Sequence, residues 1–245
     1  MSERTGLRPR HASGHTPGRH GRRRRRRWLR WIAIAVAAIV VLVVLGAWAF
    51  IKLQPSPAPL ALPSGAVAAP AGPLDGRWDA AAGSAAGFRV PETALGMSND
   101  TVGRTSAVTG AVVISGGRVT SAAFRVDLAA ITVNGKAQPQ VGRSLETGRY
   151  PDATFTLTDP AVLGSAFASG ATIHITAAGQ LSLNGASHPV TVTVSARRDG
   201  TGLQVAGSIP VVFATWDIKG PAGFGFLGSL ADHGVAEFLL ILRQP

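Results

Sequence analysis

Ile173-His-Ile-Thr-Ala177, resuming as Leu181-Ser-Leu183, and then Val190-Thr-Val-Thr-Val194 place an apolar side chain at every second position. Successive side chains of an extended chain point to opposite faces, so a period of two marks strands with one buried face. The Asn184-Gly185…Pro189 stretch between the two runs reads as the turn of a hairpin. The alternation extends outward in both directions. Phe124-Arg-Val-Asp-Leu128 and the shorter Phe155 with Leu157 precede it, while Leu203, Val205, Ile209, Val211 and Phe213 continue it. Ser115-Gly116-Gly117 and Asp199-Gly200 have the chemistry of tight reversals. Val235 to Leu242 is apolar on both faces, as expected of a strand packed on two sides or closing a sheet.

No long amphipathic helix is evident, and only short helices are expected, near Gly142–Gly148 and Ala222–Leu230. About eight or nine strands joined by sequential hairpins predict an all-β domain over 74–245, an antiparallel barrel or sandwich. An eight-stranded barrel is wide enough to hold one small ligand. Composition alone does not tell a filled interior from a hollow one, and the inward residues could simply pack against each other as in any barrel core.

Three segments precede this domain. The formal charge of +11 is concentrated at the N-terminus, where residues 1–30 carry eleven Arg against Glu3 alone. From residue 53 onward, twelve basic side chains meet twelve acidic ones. A nucleic-acid-binding domain carries its basic charge on the binding surface, so the domain is not read as one. Residues 1–27 lack the apolar side chains needed to offset ordering entropy and are expected to be a disordered basic tail. Residues 31–51, between Arg30 and Lys52, are free of charge, and a helix of that length would span about 31 Å, a bilayer core. Trp28, Trp31, Trp48 and Phe50 resemble interfacial belts, so 28–52 is expected to be a single transmembrane helix. Arg22–Arg27 before the span and only Lys52 after it predict a cytoplasmic N-terminus and an extracytoplasmic β-domain anchored in the cell membrane. A cleaved signal peptide, with small residues at Ala66–Ala71, is the competing reading. Residues 53–73 hold six prolines among Ala, Ser and Gly and read as a semi-extended spacer.

The absence of cysteine excludes disulfides, thiolate metal sites and a cysteine nucleophile. No Gly-x-Ser-x-Gly elbow, His-Glu-x-x-His or phosphate-cradling glycine loop occurs. Neither a catalytic residue nor a metal ligand is assigned, and no cofactor is expected. Asn99-Asp-Thr101 is a formal glycosylation sequon.

Several stretches together resemble the YceI family. They are Gly76-Arg-Trp78-Asp79, Ser84 with Gly87-Phe88-Arg89-Val90, Val102-Gly103-Arg104 on to Thr109-Gly110, and Tyr150-Pro151-Asp-Ala-Thr-Phe155. Gly179 to Val190, Gly207-Ser-Ile-Pro210, Trp216-Asp217-Ile218 and Asp232-His233-Gly234 complete the set. The resemblance spans 74–245 in the family's order. Asn134 to Gln140 is softer than the charged stretch typical there, and the anchor and proline-rich spacer are not general to the family.

The resemblance implies a lipocalin-like barrel with a long apolar cavity for a polyisoprenoid or similar amphiphilic lipid, and a non-enzymatic role carrying or sequestering that lipid in the envelope. The expected wall is Phe88, Val90, Phe124, Val126, Phe155 and Leu157, then Ile173, Ile175, Leu181, Leu183, Val192 and Phe213, with Trp216 either framing the entrance or packed as a core tryptophan. Arg104 and His233 are the candidates for a head group. A filled interaction module, with Phe88, Phe124, Phe155 and Phe213 meeting at the centre, is the rival. An extracytoplasmic hydrolase would have to use His188 or His233. Oligomeric state is not legible.

Overall fold

A computed structural model describes residues 34–46, 56–94, 97–220 and 228–245. The chain divides into two compact units, Met1–Pro55 and Ser56–Pro245. In the first, residues 34–46 form a helix, α1, exposed on every side. Among the described residues no helix is long and apolar enough to cross a membrane. The basic tail expected over 1–27 and both ends of the span expected over 28–52 lie outside the described residues.

The second unit contains β1 (Gly76–Ala80), β2 (Ala85–Ala94), β3 (Met97–Thr105), β4 (Val108–Ser115) and β5 (Arg118–Asp127). The short β6 (Thr132–Val133) and β7 (Lys136–Ala137) precede helix α2 (Pro139–Ser144). After them come β8 (Asp152–Leu157), β9 (Ala161–Val162), helix α3 (Gly164–Ala168), β10 (Ile173–Leu183), β11 (Ala186–Asp199) and β12 (Gly202–Val212). A 3-10 turn at Phe213–Trp216, β13 (Gly228–Leu230) and β14 (His233–Arg243) complete the chain. The expected helix near Gly142–Gly148 is present as α2, slightly earlier. Of the helix expected at Ala222–Leu230, residues 221–227 lie outside the described residues, and Gly228–Leu230 is a strand paired with β2.

β1 with β2, and β3 with β4, are the two arms of one long bent hairpin. Eight antiparallel strands then close on themselves: arm two through β4 pairs β5, followed by β8, β10, β11, β12 and β14, and β14 returns to arm one at both β1 and β2. The closing strand is the one whose two faces read apolar. At the bend of arm one the ladder to β14 is interrupted, and the Ser84 hydroxyl fills the break. It accepts from the Ile241 N–H at 3.0 Å and donates to the Ile241 carbonyl at 3.2 Å. Asn184 and Gly185 adopt φ of 53° and 78°, the positive values that a two-residue hairpin between β10 and β11 requires.

One end is plugged. Trp78, Ile114, Phe167 of α3, Leu203 and Leu242 are each at most 2% exposed there, and the Trp78 indole N–H donates to the Leu74 carbonyl at 2.9 Å. At the other end β5 stops at Asp127, and the segment through β6, β7 and α2 completes the wall between β3 and β8.

The stretch read as a spacer does not run free, because residues 56–72 are hydrogen-bonded along the outer wall as a strap. Arg89 donates to the Pro57 carbonyl at 2.6 Å and the Leu60 N–H to Glu237 at 3.0 Å. Farther on, the Ala68 N–H donates to Asp199 at 2.9 Å, and Arg198 donates to the carbonyls of Ala71 and Gly72, both at 2.9 Å. Proline-rich backbone offers few donors but keeps its carbonyls, and the arginines of the wall use them. Under the strap Glu237, 5% exposed, bridges Arg89 at 2.7 Å and Arg104 at 2.5 Å, and Arg89 also reaches Asp100 at 2.8 Å.

Burial opposes both guanidinium charges. At Arg89 the hydrogen bonds and charges of Asp100 and Glu237 outweigh it and raise the pKa, whereas at Arg104 burial prevails over Glu237 and lowers it. Removing one member of a buried ion group strands the others. Glu237→Ala is therefore expected to cost about 3–5 kcal/mol of unfolding free energy in urea titrations. Asp79→Asn, which breaks the exposed Arg77–Asp79 pair, is expected to cost less than about 1 kcal/mol.

Candidate functional site

Inside the barrel lies a cavity of about 500 Å³, within the range of roughly 300–1,000 Å³ usual for small-molecule sites. Leu163, Phe167, Ile114 and Leu242 floor it at the plugged end. At the opposite end the lining includes Glu92, Thr101, Gln138, Gln140, Ser144 and Ser229. The walls between are aliphatic and aromatic.

The interior stays open although phenylalanines point into it, because their rings settle over glycines of neighbouring strands. Phe88 is paired with Gly103, Phe124 with Gly110 and Phe238 with Gly207, and Phe155 lies beside Gly179. A Cβ on Gly103 would stand 2.4 Å from the Phe88 ring, and one on Gly179 would stand 2.3 Å from Phe155. The rings occupy the room those glycines leave free, against the wall rather than at the axis. Strand glycines often mark such close approach.

Of the expected wall residues, Phe88, Val90, Phe124, Val126, Phe155, Leu157, Ile175, Leu181, Leu183, Val192 and Phe213 line the cavity. Two do not. Ile173, at the start of β10, packs against the cluster at the plugged end. Trp216 is 3% exposed in the opposite cluster, edge-on to His188 with ring centroids 4.9 Å apart. Asn184 holds this turn in place, donating to the carbonyls of Trp216 and Asp217 at 3.2 and 3.0 Å. Of its two readings, Trp216 takes that of a core tryptophan rather than an entrance rim.

Neither head-group candidate reaches the cavity. His233 is exposed and pairs with Asp232 at 2.9 Å, a contact that holds the exposed Asp232 carboxyl below its usual range. Arg104 points outward to Glu237. Its placement follows from a one-residue irregularity between β3 and β4. Trp78 pairs with Val112, but Phe88 pairs with Gly103, so the inward phase of arm two changes from even-numbered residues in β4 to odd ones in β3. Val108, Val112, Ile114 and Thr101 line the cavity, a Cβ on Gly103 would point at the inward Phe88 and Ile131 side chains, and Arg104 is left outside.

The residue missed by sequence reasoning is Glu92. It continues the inward phase of Ala86, Phe88 and Val90 on β2, and the alternation alone points to it. Its Oε2 accepts a hydrogen bond from Thr101 Oγ1 at 2.6 Å. Among the described residues no Lys, Arg or His lines the cavity and no group of side chains suits a metal ion. Such a chamber can receive an apolar chain and leave a polar end at its mouth.

The family description of a YceI-like domain matches residues 78–235. No curated protein matches the sequence. Among solved structures, a polyisoprenoid binding domain from Saccharophagus degradans, implicated in plant cell wall breakdown, is similar at a TM-score of 0.53 and 17% identity. The alignment covers 69% of this chain and 98% of that one. BcnA from Burkholderia cenocepacia aligns at a TM-score of 0.48 and 18% identity, over 63% of this chain and 95% of its own.

Overpacking a strand glycine tests the ring-on-glycine arrangement. Gly103→Ala is expected to push the Phe88 ring toward the axis, at a cost of about 1–3 kcal/mol in thermal unfolding. Phe88→Leu added to it is expected to restore part of that loss.

Proposed function

The chain belongs to the YceI-like domain family, and from that premise we propose that it binds a polyisoprenoid or similar long-chain amphiphilic lipid inside the barrel. The observation that carries this reading is the cavity itself: apolar walls, a plugged floor and polar side chains gathered at one end. An extended apolar chain removes its whole surface from water in such a chamber, at roughly 25 cal/mol per Å². A water-soluble substrate would find almost no partners along the walls.

The role is to carry or sequester the lipid rather than transform it. Among the described residues no histidine stands in the lining to act as a base, since 174, 188 and 233 all lie outside it. A filled interaction module is disfavoured by the same cavity.

The chain is further proposed to be anchored in the cell membrane through 28–52, with the barrel on the extracytoplasmic side. This rests on the uncharged run 31–51 and the lopsided arginines before it.

The test is the native mass of residues 56–245, which include the strap, recorded before and after organic extraction. A discrete excess mass, lost on extraction and read by fragmentation as an isoprenoid, is the expected outcome. A bare polypeptide mass, unchanged after incubation with prenyl lipids, would overturn the reading.

A further inference from the structure

We propose that Glu92 sets the head-group preference of the cavity, favouring an uncharged head that donates a hydrogen bond, such as a hydroxyl, over an anionic phosphate; this rests on the lipid-binding reading above. Glu92 sits at the end of the inward row Ala86, Phe88, Val90, where the apolar wall gives way to polar groups. Thr101 Oγ1 donates to Oε2 at 2.6 Å and fixes the carboxylate toward the lumen, while Oε1 accepts from no described residue. An ionised carboxylate accepts hydrogen bonds and donates none. A bound alcohol, phenol or amide N–H supplies what Oε1 lacks. A phosphate brings like charge to the same place, and within a partly desolvated mouth that repulsion is weakly screened.

The cations that would counter this are turned elsewhere. Arg89 and Arg104 are on the opposite face of the wall, committed to Glu237 and Asp100. Lys136 of β7 and Arg143 of α2 are exposed and outside the lining, and Lys219 is exposed and lies 3.5 Å from Glu146. The other polar groups of the mouth, Gln138, Gln140, Ser144 and Ser229, are neutral.

The probes are farnesol and farnesyl monophosphate, which share one tail and differ at the head. The full-length chain is loaded with an equimolar mixture in phosphatidylcholine nanodiscs, released, and read by native mass spectrometry for the ratio of the two adducts. The wild-type chain is expected to favour the alcohol by about tenfold, a difference of about 1.4 kcal/mol. Glu92→Gln, which keeps shape and removes charge, is expected to bring the ratio close to one while total occupancy persists. Thr101→Val, which frees the carboxylate without neutralising it, is expected to keep the phosphate disfavoured. A ratio identical in wild type and Glu92→Gln, or a wild-type preference for the phosphate, overturns the proposal. Absence of both adducts removes the lipid-binding reading on which it stands.

Discussion

The hollow interior depends on phenylalanine rings lying over strand glycines. An eight-stranded barrel is only just wide enough for side chains to fill, and inward phenylalanines would ordinarily fill it. Here Gly103, Gly110, Gly179 and Gly207 each give up a side chain where a ring from a neighbouring residue takes the space. Phe88, Phe124, Phe155 and Phe238 consequently stay half-buried, covering backbone on one side and facing the lumen on the other. Their apolar surface serves the wall twice, first in folding and again in presenting a smooth surface to an occupant.

This division runs along the barrel axis. The largest fully buried side chains are at the plugged end, where Trp78, Phe167 and Leu242 are each 1% exposed. A second buried cluster, with Ile131, Val192 and Trp216, closes around the opposite half of the barrel, so the chamber lies between two packed regions. Charge is managed on the outside. Glu237, Arg89 and Arg104 could not be buried on an open barrel wall without cost, and the strap is what covers them. The ion group and the strap are therefore one device: the strap excludes water from the charges, and the charges satisfy the strap's carbonyls.

Much of this was legible in the chain. The runs at 173–183 and 190–194 became β10 and β11, the Asn184-Gly185 turn fell between them, and most of the nominated apolar residues face the lumen. What was not legible depends on register or on composition that reads two ways. Proline-rich composition describes an independent spacer and a strap bound by external arginines equally well, because the difference lies in donors elsewhere in the chain. The ring-on-glycine pairs require knowing which residues sit opposite each other, and alternation is silent on that. Arg104 was a candidate on its charge alone, and the face it takes is set by the irregularity at Ser106-Ala107, which residue type does not reveal.

That reversal has a consequence beyond one arginine. A shift of one residue exchanges the two faces of a strand. With the phase of β4 continued into β3, Arg104 would stand in the lumen opposite Ala86, and Asp100 would take the place of Thr101 opposite Val90, setting a second carboxylate beside Glu92 instead of a hydroxyl. The irregularity thus sorts the charges of β3, sending Arg104 to Glu237 and Asp100 to Arg89 on the outer face and leaving Glu92 with Thr101 at the mouth. A chain whose formal charge is +11 therefore has, among the described lining residues, a cavity mouth without a single basic side chain. Net charge here reports on the tail, and the character of the site is set by strand phase.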